Sequence, residues 1–298
     1  QGHVLDVLRQ LPSESVHCVV TSPPYYALRD YGLPPTVWGG DSECDHCWDG
    51  RGFCSRCGAW RGQLGLEPSP DLYVEHIVEV FREVRRLLRK DGTLWLNLGD
   101  TYLAQYGSGF NGQRRFDEAN RNIRLPRPAG VKPKHLLGIP WAVAFALRAD
   151  GWYLRSDIII AKANPMPESV KDRPTRAHEY VFLLTKRPQY FYDADAIREP
   201  HRWESIVRDR YGYTTAMRGR YHVPGESRPA ERSFVRKKTR EDPHVGGRRQ
   251  APEPGEPYAF HPLGRNKRSV WTIATEPFPD AHFAVMPSAV AELCILAG

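Results

Sequence analysis

The chain has 298 residues, a formal net charge of +7 and a pI near 9.1, with 41% hydrophobic residues and a mean hydropathy of -0.55. Such a length buries a sizeable core and fits one large domain with an insertion, or two modest domains. No run approaches the roughly 18 consecutive apolar residues that a membrane helix needs, so nothing in the sequence reads as spanning a bilayer.

Val4, Leu5, Leu8 and Leu11 recur at helical spacing, and Pro12 followed by Ser13-Glu14-Ser15 ends that element. Val16 to Val20 is a short apolar run suited to the middle of a sheet. Pro23 and Pro24 then forbid further ladder hydrogen bonds, so the chain must leave the sheet at Ser22-Pro23-Pro24-Tyr25. In an open α/β sheet, ligands bind outside the carboxyl ends of strands. That places Ser22 to Tyr25 where chemistry is expected.

Four of the six cysteines fall within fourteen residues, as Cys44-Asp45-His46-Cys47 and Cys54-Ser55-Arg56-Cys57. Two CxxC knuckles separated by six residues can supply four thiolates, Cys44, Cys47, Cys54 and Cys57, to a structural tetrahedral zinc. His46 could replace one cysteine, and free thiols or a redox pair are the alternative. Clustered cysteines of this kind argue against a dispersed disulfide framework and for a reducing compartment. Cys18 and Cys294 read as core residues.

Ser69-Pro70 makes an N-cap and first-turn proline, and Tyr73, Ile77, Val80, Phe81, Val84, Leu87 and Leu88 form a stripe along a long amphipathic helix. Lys90-Asp91-Gly92 is expected to turn the chain into a strand from Thr93 to Leu98, with Gly99-Asp100 at its polar end. A second helix is expected from Pro140 through Leu147, ended by Asp150-Gly151. Strands follow at Tyr153 to Ile160 and Tyr180 to Leu184, with Tyr190 to Tyr192 as a short partner, and another at Ser269 to Ile273. This alternation predicts an α/β layered fold with a mainly parallel sheet.

Between Tyr192 and Asn266 the apolar periodicity disappears. From Ala196 to Arg268 there are 17 Lys/Arg against 9 Asp/Glu, a local excess of +8 larger than the net charge of the whole chain. A basic block of that density implies a polyanionic partner, most simply nucleic acid, with a solvated loop as the bland alternative. Gly107-Ser108-Gly109-Phe110-Asn111-Gly112 satisfies GxGxxG, but no apolar-striped helix follows it, so it reads as a loop over the nucleic acid rather than a cofactor site.

Ser22 to Tyr25 resembles the SPPY signature of the amino-group DNA methyltransferases, which modify N4 of cytosine or N6 of adenine. The likeness extends to Leu96-Asn97-Leu98-Gly99-Asp100, Gly138-Ile139-Pro140-Trp141, Gly151-Trp152-Tyr153, Asn164-Pro165-Met166-Pro167-Glu168, His178-Glu179-Tyr180 and Asn266-Lys267-Arg268-Ser269-Val270-Trp271. The arrangement is similar to the permuted subgroup in which the catalytic motif comes first. The resemblance implies a Rossmann-like S-adenosylmethionine-dependent sheet, here incomplete, with Ser22 and the Pro23 carbonyl activating the amine and Tyr25 stacking on a flipped base. Serine at the first position leans toward cytosine. Residues 1–195 would form the catalytic region with a zinc-knuckle insertion at 39–62, and 196–265 the target-recognition insertion. Residues 266–298 would return to the core. Within the insertion, Arg218, Arg220, Arg232, Arg236, Lys237, Lys238, Arg248 and Arg249 would contact DNA.

The resemblance further implies a cofactor loop of the aromatic-x-Gly-x-Gly type, expected beyond the present sequence, with Phe278 and His282 touching S-adenosylmethionine on the way to it. Asp100 is a candidate supporting group or helix cap, and His178 and Glu179 either line the base pocket or satisfy structural polarity. Two positions depart from the family pattern: Gly2-His3, where Gly-Asp is usual, and Ile160-Ala161, where a tryptophan is common. A cytoplasmic prokaryotic or phage origin and a restriction endonuclease partner are what the family leads one to expect. The rival readings are a catalytically silent zinc-containing DNA-binding module and a related protein- or RNA-modifying enzyme.

Overall fold

A computed structural model describes residues 2–103, 130–202, 261–276 and 285–298. The chain divides into two compact units, one comprising 1–197 with 268–298 and the other 198–267.

The larger unit is built on a five-stranded sheet. Its strands are β1 (Val16–Thr21), β4 (Leu88–Leu98), β5 (Tyr153–Lys162), β6 (His178–Thr185) and β7 (Val270–Ile273), in the spatial order β1-β4-β6-β5-β7. β1 runs parallel to β4 and β5 parallel to β7, but β6 is antiparallel to both of its neighbours. The sheet is therefore mixed rather than mainly parallel. The cause is the connection from β5 to β6, which returns without a crossover helix, and only such a crossover makes consecutive strands parallel.

β4 also begins earlier than the sequence suggests. Val16 pairs with Leu88 and Cys18 with Thr93, so Lys90-Asp91-Gly92 is a bulge inside the strand and not a turn before it. Tyr190 to Tyr192 form no strand; the Phe191 amide donates to the Asp91 carbonyl at 2.9 Å, against that bulge.

Helix α2 (Pro70–Leu87) starts where expected, the Ser69 hydroxyl accepting from the Leu72 amide at 3.2 Å. Its stripe of Tyr73, Ile77, Phe81 and Val84 packs with Val143, Ala144 and Leu147 of α3 (Ile139–Ala149) on one face of the sheet. There they cover Leu94, Leu96 and Leu98 of β4 and Phe182 and Leu184 of β6. The opposite face carries Trp95, Ile158, Ile160, Val181, Leu183 and Trp271, covered by Val290, Cys294 and Ala297 of α4 (Ser288–Ala297). Strand alternation thus divides the sheet residues between two cores. Helix α1 (Val4–Gln10) contributes Leu5 to a third cluster with Val80, Trp38 of β2 (Thr36–Trp38) and Trp60 of β3 (Trp60–Gly62). Among the described residues no helix is long and apolar enough to cross a membrane.

In the smaller unit, the described ends of the 198–267 segment are fastened to each other. Glu199 and Arg265 exchange backbone hydrogen bonds of 2.9 and 2.8 Å, and the Glu199 carboxylate pairs with Arg265 at 3.0 Å and Lys267 at 3.8 Å.

Candidate functional site

β1 ends at Thr21, and the two prolines that follow leave the ladder as expected. Three contacts set the path of the chain from there. The Tyr73 hydroxyl donates to the Pro24 carbonyl at 2.8 Å, and the Ala27 amide donates to the Gly65 carbonyl at 2.7 Å. Gly65 itself lies so close that a Cβ there would be 3.0 Å from the Tyr25 carbonyl oxygen. Ala27 adopts φ +55°, a left-handed conformation costing an L-residue about 1–2 kcal/mol. Backbone strain of this kind is characteristic of functional turns held by their surroundings.

Tyr25 turns its hydroxyl toward the sheet. The oxygen lies 3.0 Å from Asn97 Oδ1, 3.0 Å from Glu179 Oε2 and 3.3 Å from Ser22 Oγ. Gly99 makes room for the ring, since a Cβ at that position would stand 2.5 Å from Tyr25 Cε2. Asn97 Nδ2 donates to the Tyr180 carbonyl at 3.0 Å, and Lys162 Nζ donates to Glu179 Oε1. Burial first, and then the negative charge of Glu179, push the Tyr25 phenol well above its ordinary pKa, so it is a neutral donor. Ser22 is exposed beside it.

Strand direction explains the convergence. Ser22 follows the carboxyl end of β1, Asn97 lies near the carboxyl end of β4 and Lys162 ends β5. Glu179 joins them because β6 runs the other way and presents its amino end at the same edge. Asn97, Glu179 and Lys162 share the parity of Trp95, Val181 and Ile160, so all three project from one face.

The neighbouring residues divide into other roles. His178 packs edge-on to Tyr180 at 5.3 Å between ring centroids, and burial, then Arg176 and Lys162, lower its pKa and keep it neutral. Asp100 is a helix cap: its carboxylate accepts from the amides of Thr101 (2.9 Å), Ile139 (3.0 Å) and Gly138 (3.1 Å) at the start of α3. Burial raises its pKa against those bonds. The sequence assigns no role to Asn97 or Lys162, although a signal existed. A polar residue inside the run Leu94 to Leu98, and a lysine straight after Ile158-Ile159-Ile160-Ala161, each interrupt a buried strand and require partners.

The cysteine insertion assembles a different set from the one its spacing suggests. Cys44 Sγ, His46 Nδ1, Cys54 Sγ and Cys57 Sγ cluster with all ligand atoms within 4.8 Å of one another, whereas Cys47 is exposed and outside the group. Cys47 serves the knuckle through its backbone instead. Its amide donates to Cys54 Sγ at 3.4 Å and its carbonyl accepts from the Ser55 amide at 2.9 Å. Two sulfurs bound about 2.3 Å from a tetrahedral zinc stand about 3.8 Å apart. Cys44 and Cys54 are 3.9 Å apart, and Cys57 Sγ lies 3.4 Å from His46 Nδ1. The donor set therefore fits a Cys₃His site. Burial opposes ionisation of Cys54, but amide donors from Cys57 and Arg56 outweigh it and bring the thiol down to about 5, a thiolate at neutral pH.

This insertion is connected to the turn after β1 through a buried pair. Trp38 and Trp60 stack on His76 at 4.8 and 5.6 Å, His76 Nδ1 meets Glu67 Oε1 at 3.0 Å, and Glu67 Oε2 accepts from the Gly65 amide at 2.8 Å.

Phe278 and His282 lie outside the described residues, as do Arg218, Arg220, Arg232, Arg236, Lys237, Lys238, Arg248, Arg249 and the loop 107–112.

The family model described as "DNA methylase" (N6_N4_Mtase) matches residues 16–298. Type II methyltransferase M.SmaI of Serratia marcescens is 38% identical over a 301-residue alignment covering all of this chain and 73% of that protein. Type II methyltransferase M.Cfr9I of Citrobacter freundii is also 38% identical, with 71% of its length covered. A solved structure, the PvuII DNA methyltransferase (cytosine-N4-specific), is similar at 15% identity and a TM-score of 0.40, over 65% of this chain and 51% of that one.

Proposed function

This chain belongs to the N6/N4 DNA methylase family, and on that premise we propose that it methylates the exocyclic amine of a base flipped out of duplex DNA, with N4 of cytosine favoured over N6 of adenine. The observation that carries the reading is the gathering of Ser22, Tyr25, Asn97, Glu179 and Lys162 at one sheet edge.

An exocyclic amine is a poor nucleophile because its lone pair is delocalised into the ring. In this reading Ser22 Oγ and the Pro23 carbonyl accept its two N–H groups and favour a pyramidal nitrogen with a localised lone pair. Pro23 and Pro24 hold the turn outside the ladder, and Tyr73, by engaging the Pro24 carbonyl, keeps it from drifting. Tyr25, its hydroxyl fastened to the sheet and one side of its ring against Gly99, offers a preset aromatic surface for the base. S-adenosylmethionine, when bound, supplies an electrophilic methyl group on a sulfonium. Phe278 and His282 are the residues proposed to approach it. Serine at position 22 is the reason for favouring cytosine.

Residues 1–195 are assigned the chemistry and 196–265 the recognition of duplex DNA, through Arg218, Arg220, Arg232, Arg236, Lys237, Lys238, Arg248 and Arg249. Residues 266–298 rejoin the core. The 39–62 insertion is assigned one structural zinc on Cys44, His46, Cys54 and Cys57, supported by the spacing of those donors. The type II names of its relatives make a restriction endonuclease with the same recognition sequence the expected partner, in a prokaryotic cytoplasm.

The test is to incubate the full-length protein with duplex DNA and S-adenosylmethionine, digest the DNA to nucleosides and identify the product. N4-methylcytosine is expected. N6-methyladenine would reverse the base preference, and C5-methylcytosine alone, or no modified base, would overturn the reading.

A further inference from the structure

A serine hydroxyl is an ambiguous choice for a group that must accept hydrogen bonds from an amine, because it can donate as readily as it accepts. Free to rotate, Ser22 could point its own proton at the substrate nitrogen and engage the lone pair that has to attack. The surroundings of Tyr25 remove that freedom. A phenol has one proton to give, and Tyr25 has two acceptors on its sheet side, Glu179 Oε2 and Asn97 Oδ1, both at 3.0 Å. Whichever receives the proton, it points into the sheet and away from Ser22. The lone pairs of the Tyr25 oxygen are then left for Ser22, whose hydroxyl donates to it at 3.3 Å.

The acceptor side is held in that polarity from behind. Lys162 Nζ donates to Glu179 Oε1, and a carboxylate has no proton of its own to donate, so its other oxygen can only accept from Tyr25. Asn97 Nδ2 is engaged by the Tyr180 carbonyl at 3.0 Å and lies 3.5 Å from Glu179 Oε2, which turns Oδ1 rather than the amide nitrogen toward Tyr25. The β1 turn therefore supplies two donors that point one way, Ser22 to Tyr25 and Tyr25 to Glu179 or Asn97, while β6 and β4 supply the acceptors and Lys162 of β5 holds Glu179 from the far side.

We propose that Glu179 and Asn97, acting through the Tyr25 hydroxyl, are positioning residues that turn Ser22 into a dedicated hydrogen-bond acceptor for the substrate amine. The inference rests on the methylation reading above and deepens it. No proton changes owner in this step; the relay sets only the direction in which the Ser22 hydroxyl points.

The experiment uses the full-length protein and measures kcat and KM for duplex DNA in four forms: wild type, Tyr25→Phe, Ser22→Asp and the double variant. Phenylalanine keeps the ring and removes the relay. Ionised aspartate accepts without needing a relay. Tyr25→Phe should lower kcat about tenfold in the serine background, the worth of one hydrogen bond, with little change in KM. In the Ser22→Asp background the same change should cost less than about twofold.

Equal losses in both backgrounds would mean that the Tyr25 hydroxyl serves only packing, and would overturn the relay. If Ser22→Asp does not turn over, a Tyr25→Phe and Glu179→Gln cycle decides instead. The relay requires the Glu179→Gln loss to vanish once Tyr25 is phenylalanine, and additive losses overturn it. A wild-type protein that methylates no exocyclic amine would overturn the functional reading itself, an outcome distinct from either.

Discussion

Gly99 shows how a single side-chain hydrogen can carry the geometry of the proposed active site. Its conformation asks nothing unusual of the backbone, but the Tyr25 ring occupies the volume that a Cβ would need, at 2.5 Å from Cε2 and 2.7 Å from Cδ2. Gly99→Ala must displace the ring or the β4 end, an overpacking change of about 1–3 kcal/mol. The expected outcome is a modest drop in the denaturant midpoint and a much larger loss of kcat. Unchanged turnover in the alanine variant would show that the ring position is not critical. At this scale the sequence disclosed Ser22, Tyr25 and the neighbourhood of Glu179, whose types and motif announce themselves. It left Asn97 and Lys162 without roles, because a single polar residue in an apolar strand reveals only that a partner must exist, not which one.

At the scale of elements, local chemistry marked most boundaries: Ser69-Pro70 opened α2, and Gly151 (φ +98°) followed the end of α3. The start of α3 shows the opposite case. Gly138 at its N-cap has no side chain to offer, and the acceptor comes from Asp100, 38 residues earlier, across the sheet edge. The knuckle insertion is a similar case, since CxxC spacing nominates Cys47 while the folded loop selects His46. The full-length protein is expected to carry about one zinc per chain. Replacing His46 or Cys57 should remove it and lower the melting temperature, whereas Cys47→Ser should leave the metal content unchanged. Elemental analysis distinguishes these outcomes, and loss of metal on Cys47→Ser would restore the four-thiolate set.

At the scale of the molecule, the charge distribution and the sheet topology divide the work. The segment 196–268 carries a net +8. Full-length DNA binding should therefore weaken steeply with salt, with a log–log slope of about -0.9 per phosphate contact. Replacing Arg236, Lys237 and Lys238 together should flatten that slope by about 2–3 and leave zinc content and melting temperature as they were. An unchanged slope would remove these residues from the interface. By itself the sequence determined α1, α2, α3, the five strands of the main sheet apart from where β4 begins, the turn at Ser22 and the basic block, because periodicity, proline chemistry and charge act over a few neighbouring residues. The tertiary structure alone decided that β6 runs antiparallel and so brings Glu179 to Tyr25, that Asp100 caps α3 and that His46, not Cys47, lies in the cluster with Cys44, Cys54 and Cys57. Each of these depends on strand order, register or loop closure between distant segments, which long-range pairing and packing select and local sequence pattern does not encode.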